Sequence, residues 1–353
     1  MPTNTESAKM EKAPRGKLMI VAIVIAIAII AGLLGYYVAT LMRPVSAPQR
    51  VKIAFIFPGS ITDTAWNEAA YRAMEAFRGR HPEVDIAWVQ GVYDPAQIEA
   101  TIRSYVEQGY NLIIGVGFQF GEPMAKIARE VTRDVYFLAI AGAPQYKGPR
   151  VSIGDVRTDQ SCFVVAYVAS RVTKTGHIGY VAGMAVAELS RCEIGLREGL
   201  KYVGLDPDKV LHVVYVGDFH DVPKSKLATT ALIKQYNVDV VKAMGDGCQL
   251  GAISAAKDAG VYVMMSGTYH PEIYPEGLLL AEVWDWSIIF EQFYQDYLTG
   301  KLKAEGGQEY WIDLKNGGLK LIPGGALSSE IWADAQRIID KIIRGEISTG
   351  FTP

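Results

Sequence analysis

From residue 51 onward the chain alternates short apolar runs with helical patterns, and this alternation limits the fold more than any other feature. Runs rich in β-formers lie at 51–57, 84–89, 112–116 and 135–140. Helix-period patterns at 65–80, 95–108 and 121–132 separate them. Pro95 suits a first helical position, and Gly79 and Gly109 fall where helices should stop. A strand–helix–strand series of this kind predicts a parallel sheet covered on both faces. A second series follows: helix 158–171, strand 177–181, helix 187–203, strand 210–216, helix 223–236, strand 238–243, helix 248–259 and strand 261–265. Residues 278–283 read as another strand and 286–298 as a helix. The segments 309–314 and 319–322 flank Asn316-Gly317 and predict a hairpin, and 328–344 predicts a closing helix. Two such sets in succession imply an α/β chain of two similar, doubly wound lobes.

The region before residue 51 is of another kind. Residues 18–41 carry no charge, and a bilayer-spanning helix takes about 20 apolar residues. The apolar core of a secretory signal is shorter, about 7–15 residues. Lys9, Lys12, Arg15 and Lys17 precede the run, which predicts an N-terminus inside and the remainder outside. Val45-Ser46-Ala47 resembles a cleavage site, so a cleaved signal is the alternative to an anchor. With no cysteine nearby, an acylated anchor is not expected. The expected organisation is a tail at 1–17, a transmembrane signal-anchor at 18–42 and a linker at 43–50. A first lobe follows at 51–156 and a second at 157–267. Residues 268–353 return to the first lobe and end in the hairpin and closing helix.

Length and charge set further bounds. A chain of 353 residues is ample for two lobes with their own cores. A formal net charge of −3 gives no sign of a nucleic-acid partner. The three cysteines, Cys162, Cys192 and Cys248, form no disulfide framework and no zinc spacing. Buried free thiols are the expectation, with one oxidised pair left open. The chain contains no GxSxG, Walker loop or HExxH motif and no paired metal-ligand spacing, so no catalytic residues, metal or cofactor are expected. GVGFQFG at 115–121 follows a strand and precedes a helix. Phe118 and Phe120 would crowd a pyrophosphate there, and the third glycine is misplaced.

What recurs is an aromatic with small polar groups just after a strand. Trp66 and Asn67 follow the first strand, and Phe118, Phe120 and Glu122 the third. Phe219 and Asp221 follow 210–216, and Asp246 sits between Gly245 and Gly247 after 238–243. Ser266-Gly267-Thr268-Tyr269 and Trp284-Asp285-Trp286 follow the next two strands. In open α/β sheets ligands sit beyond strand carboxyl ends. Six such tips facing one interlobe cleft suit a flat, polar, nitrogen-rich molecule.

These residues also carry a resemblance. The chain from 51 to about 322 resembles the basic membrane protein family of ABC-transporter substrate-binding proteins, relatives of purine-nucleoside receptor lipoproteins. The stretches that carry it are DTAWNEAAYRAME (63–75), EQGYNLIIGVGFQFGEPMAKIA (107–128), DVRTDQSCFVVAYVASRVTKTGHIGYVAGM (155–184) and GDFHDVPKSKLA (217–228). The resemblance implies a type I periplasmic-binding-protein fold, with two lobes joined by three crossovers and closing on ligand. It places hinges near 155–157, 267–269 and just after Trp311. It implies a purine sandwiched between Trp66 and Phe219. Asp63, Asn67, Glu122 and the loop around Asp246 would contact the ligand, beside Phe118, Ser266 and Trp284. Where nucleoside-binding members hold a ribose with an Asp and a Lys, this chain has Tyr269 and Trp284 and no Lys in reach. A free base such as adenine is therefore expected over a nucleoside. The implied partners are a small-molecule ligand, ABC permease subunits and the membrane. A tethered sensor ectodomain, a sugar binder, and an enzyme using Asp63 with Glu122 or Asp246 are the alternatives.

Overall fold

The computed structural model describes residues 15–41 and 50–353. They fall into two units, one ending at Gln49 and one running from Arg50 to Pro353. In the first unit, α1 (Arg15–Leu41) covers all but the end of the expected anchor. Its side chains are described at Met19, Ile20 and 23–37. Among the described residues no helix is long and apolar enough to cross a membrane. Residues 1–14 of the expected tail at 1–17 and residues 43–49 of the expected linker at 43–50 lie outside the described residues.

The second unit contains two six-stranded sheets. The first half of the chain lays down β1 (Lys52–Ile56), α2 (Trp66–Arg80), β2 (Asp85–Val89), α3 (Pro95–Glu107), β3 (Leu112–Val116), α4 (Gly121–Glu130), β4 (Tyr136–Ile140) and β5 (Val151–Val156). Next come α5 (Thr158–Val172), β6 (Ile178–Ala182), α6 (Ala187–Tyr202), α7 (Pro207–Val210), β7 (Leu211–Tyr215), α8 (Val222–Tyr236), β8 (Val240–Met244), α9 (Cys248–Ala259) and β9 (Tyr262–Gly267). The chain closes with β10 (Leu278–Trp284), α10 (Ser287–Leu298), α11 (Lys301–Glu305), β11 (Glu309–Ile312), β12 (Leu319–Pro323) and α12 (Ser329–Ile343).

The first sheet has the order β11-β5-β4-β3-β1-β2, with every pairing parallel. The second has the order β12-β10-β9-β8-β6-β7 and is parallel except for β12, which runs antiparallel to β10. Helices cover both faces, so central strands are mostly apolar, with Lys242, Ser266 and Glu282 as buried exceptions in the second sheet. In β3 and β4 every residue is buried.

Two expectations change. Residues 268–284 do not return to the first lobe, because β10 pairs with β9 and remains in the second sheet. The chain crosses at Arg157, then between β10 and α10, and last between β11 and β12. The expected crossing at 267–269 is therefore displaced to Asp285-Trp286. For the same reason β11 and β12 form no hairpin: Asn316-Gly317 links strands of different sheets.

Cysteine pairing also departs from the free-thiol expectation. Cys162 of α5 and Cys192 of α6 form a disulfide, while Cys248 is a buried free thiol. The two helices lie very close. A Cβ on Gly195 would stand 2.2 Å from the Asp159 carbonyl oxygen, and one on Gly199 2.4 Å from that of Phe163. Only glycine admits that approach, which brings the two sulfurs together.

Candidate functional site

The loop after β1 builds one wall. Asp63 accepts hydrogen bonds from the backbone N–H groups of Ala65 (2.9 Å), Asn67 (3.0 Å) and Glu68 (3.0 Å), and from Asn67 Nδ2 (2.7 Å). It thereby satisfies the otherwise orphan donors of the first turn of α2. Thr64 turns with φ +64, and its carbonyl accepts from Gln249 Nε2 (3.2 Å) and Thr268 Oγ1 of the second lobe. Gly267 abuts Ala65, where an added Cβ would meet backbone at 2.7 Å. The two lobes thus touch along this loop.

Between them lies a cleft of about 450 Å³, its mouth included. The first lobe lines it with Pro58, Trp66, Tyr93, Gly117, Phe118 and Gln119. The second lines it with Glu188, Leu189, Phe219, Met244, Gly245, Asp246 and Trp284. Trp66 is fixed at its edge: Nε1 donates to the Val116 carbonyl at 3.0 Å. Its ring meets Trp284 and Trp286 edge to face at 5.5 and 5.0 Å. Phe118 and Phe219 approach from opposite lobes, with centroids 6.2 Å apart and planes tilted by 42°. Trp284 is held from behind, where Nε1 donates to Glu282 Oε1 at 3.0 Å. Glu282 is itself paired with buried Lys242 at 2.8 Å.

The charge in this cleft is acidic, with no lysine or arginine among its described lining residues. Burial pushes the Asp246 carboxyl well above its ordinary range, and the nearby Asp63 and Glu188 push in the same direction. The hydrogen bond from Asn67 Nδ2 (3.3 Å) opposes that shift. Burial raises Glu188 to about 8, with Asp155 adding to the effect. The Tyr93 phenol is also raised, by burial first and then by Asp218 and Asp246.

Of the nine residues singled out in sequence, Trp66, Phe118, Phe219, Asp246 and Trp284 line this one cleft. Asp63 and Asn67 stand directly behind it. Asn67 bridges the lobes by donating to Asp246, and its Oδ1 accepts from the Gly59 N–H at 3.1 Å. Ser266 lies deeper, bonded to Lys242 Nζ (2.5 Å) with its N–H donating to Gln249 Oε1 (3.1 Å). Glu122 is exposed in the first turn of α4, away from the lining. Sequence reasoning passed over Tyr93 and Glu188. Both follow strands, β2 and β6, and the same strand-end rule applied to those two loops finds them.

Two α/β lobes meeting over a cleft at their strand ends are the architecture of the periplasmic-binding-protein-like solute-binding proteins. The chain belongs to the PnrA-like ABC transporter substrate-binding protein family, whose sequence model matches residues 50–351. Members of that family are extracytoplasmic substrate-binding proteins of ABC transport systems and not enzymes; they deliver small molecules to a permease. A purine-binding protein of Brucella abortus is 25% identical over 86% of this chain and 83% of its own length. A putative ABC transporter glucose-binding protein of Haloferax volcanii is 23% identical over 77% of this chain and 66% of its own. The solved structure of an ABC transporter solute-binding protein from Conexibacter woesei superposes with a TM-score of 0.64 at 25% identity. It covers 84% of this chain and 98% of its own.

Proposed function

We propose that this substrate-binding protein takes a purine, and a free base such as adenine in preference to a nucleoside, between the aromatic walls of its cleft. The observation that carries this reading is the lining itself: Trp66, Phe118, Phe219 and Trp284 beside two buried carboxyls and no cation. Stacking a base on an aromatic contributes about 1–3 kcal/mol, whichever base it is. Buried carboxyls then suit the N–H and amino groups at a base edge. An acidic cleft without Lys or Arg disfavours phosphorylated ligands. The purine-binding Brucella relative supports the reading, and the putative glucose-binding relative makes a sugar its main competitor. Closure by lobe rotation about the three crossings fits the lobe contacts at Thr64 and Asn67.

We further propose that α1 tethers the protein to a membrane, with the two-lobed unit outside the cytoplasm. The side chains of Met19, Ile20, Ile23, Val24, Ile25 and Ile27 are all exposed. A helix that is apolar on every side needs an apolar surrounding. A disulfide in the second lobe fits an oxidising compartment.

The test is mass spectrometry of small molecules released by denaturing the purified protein, followed by calorimetry with adenine, adenosine, guanosine and glucose. Adenine binding more tightly than adenosine supports the free-base reading. A sugar released and no purine bound would retain the transport role and discard the ligand. For the tether, a chain lacking residues 1–43 should leave the membrane fraction with its affinity unchanged.

A further inference from the structure

Glu188 opens α6 and lines the cleft from the second lobe. Its side chain is only 3% exposed, and Oε2 has no hydrogen-bond partner among the described residues. A buried polar oxygen left without a partner is costly and rare. The groups around it are committed elsewhere. Arg191, one helical turn on, gives its terminal nitrogens to Asp155 (3.1 and 2.7 Å) and to the Val156 carbonyl. Its guanidinium stacks on Trp311 and Phe351, toward the crossings rather than the cleft. Thr158 Oγ1 donates to the Glu188 backbone carbonyl at 2.6 Å and not to the carboxyl. Asp246, the other acid in the lining, makes no hydrogen bond to Glu188 among the described residues; its carboxyl is bonded to Asn67 Nδ2. The donor missing from Oε2 is therefore one that a ligand in the cleft can bring.

We propose that Glu188 is a ligand-reading residue whose free oxygen accepts an N–H from the edge of a planar nitrogen heterocycle stacked in the cleft. Together with Asp246, it makes the site select amino-bearing or cationic rings over plain or anionic ones. The inference rests on the aromatic cleft being the binding site and narrows the ligand class within it. Burial raises the Glu188 carboxyl and Asp155 adds to the shift while Arg191 opposes it, which agrees with an acid kept from water until a ligand arrives. The competing account is structural, with Glu188 balancing Arg191, whose Nε also lacks a partner.

The experiment compares the full-length protein in mild detergent with its E188L and E188Q variants, each checked for folding by its melting transition. Calorimetry runs two ligand pairs: adenine against unsubstituted purine, and benzamidine against benzoate. At about pH 9, above the pH at which Glu188 loses its proton, the expected result is a wild-type preference of about tenfold for the amino-bearing member, the scale of one hydrogen bond to a charged group. E188L should bring the adenine-to-purine ratio to within about twofold, and E188Q should lower the benzamidine preference. Ratios unchanged in whichever variant folds overturn the inference and leave Glu188 as a partner of Arg191. Wild-type protein that ignores purines but prefers benzamidine in a Glu188-dependent way keeps the inference and discards the purine. Binding of neither pair overturns both.

Discussion

The two walls of the cleft are built differently. In the first lobe the loop after β1 is largely satisfied: Asp63 accepts four hydrogen bonds and Trp66 Nε1 is spent on Val116, with Thr64 Oγ1 the exception. What that lobe offers is a fixed set of faces. In the second lobe the polar groups are less complete. Asp246 has one long hydrogen bond from Asn67, and Glu188 Oε2 has none. One wall supplies shape, and the other supplies unsatisfied chemistry. Removing a first-lobe group should therefore damage folding together with binding, whereas removing a second-lobe carboxyl should change which ligand binds.

The largest effect expected is at Trp66. W66A leaves a hole against Trp284 and Trp286 and should destabilise the protein by about 3–5 kcal/mol, as large-to-small aromatic substitutions in cores do. It should also weaken ligand binding by about 1–3 kcal/mol. Denaturant unfolding and calorimetry read the two losses separately, and a binding loss with stability intact would break the comparison. Next is D63A, which strips the cap from α2 and should cost about 2 kcal/mol of stability. Its effect on ligand choice should be slight, since Asp63 does not line the cleft; a changed adenine-to-purine ratio would move Asp63 to the reading side.

The smallest effect is a pH slope. The folded protein holds the Glu188 proton up to about 8, against about 4.5 in the unfolded chain. Across that window the folded state binds more protons, so stability falls as pH rises, and Asp246 acts in the same direction. E188Q should flatten the decline in melting temperature between pH 5 and about 8. A variant with the same slope as wild type would mean that Glu188 ionises equally in both states.

Much of this was legible in the sequence, and the failures have physical causes. The alternation of short apolar runs with helical patterns identified the two lobes because helices and buried strands are local patterns. β5 escaped because Ser152, Gly154 and Asp155 interrupt its apolar run, although all three are buried. The placement of β10 escaped because pairing between parallel strands is decided far along the chain, and no local signal says which sheet a strand joins. The disulfide was open for the same reason: the two cysteines are 30 residues apart and meet through the close approach allowed by Gly195 and Gly199. The cleft was found by looking past strand ends, and Tyr93 and Glu188 follow strands whose ends were left out. What sequence alone does not distinguish is a satisfied carboxylate from an orphan one. Asp63 and Glu188 look equally available until their partners are counted.

The mounting of Trp284 has a consequence for redesign. Its indole hangs from Glu282, which is clamped by Lys242 and by Ser161 Oγ at 2.7 Å in the middle of the second sheet. Trading this ring for a smaller one would strip Glu282 Oε1 of one of its two donors, leaving Ser161 Oγ, and would empty the face that Trp66 packs against. Tyr93 is 44% exposed, and its ring meets His220 edge to face at 5.8 Å. Ligand preference in this scaffold is thus adjustable at the rim and at Glu188, while the Trp284 face stays as fixed as the sheet that carries it.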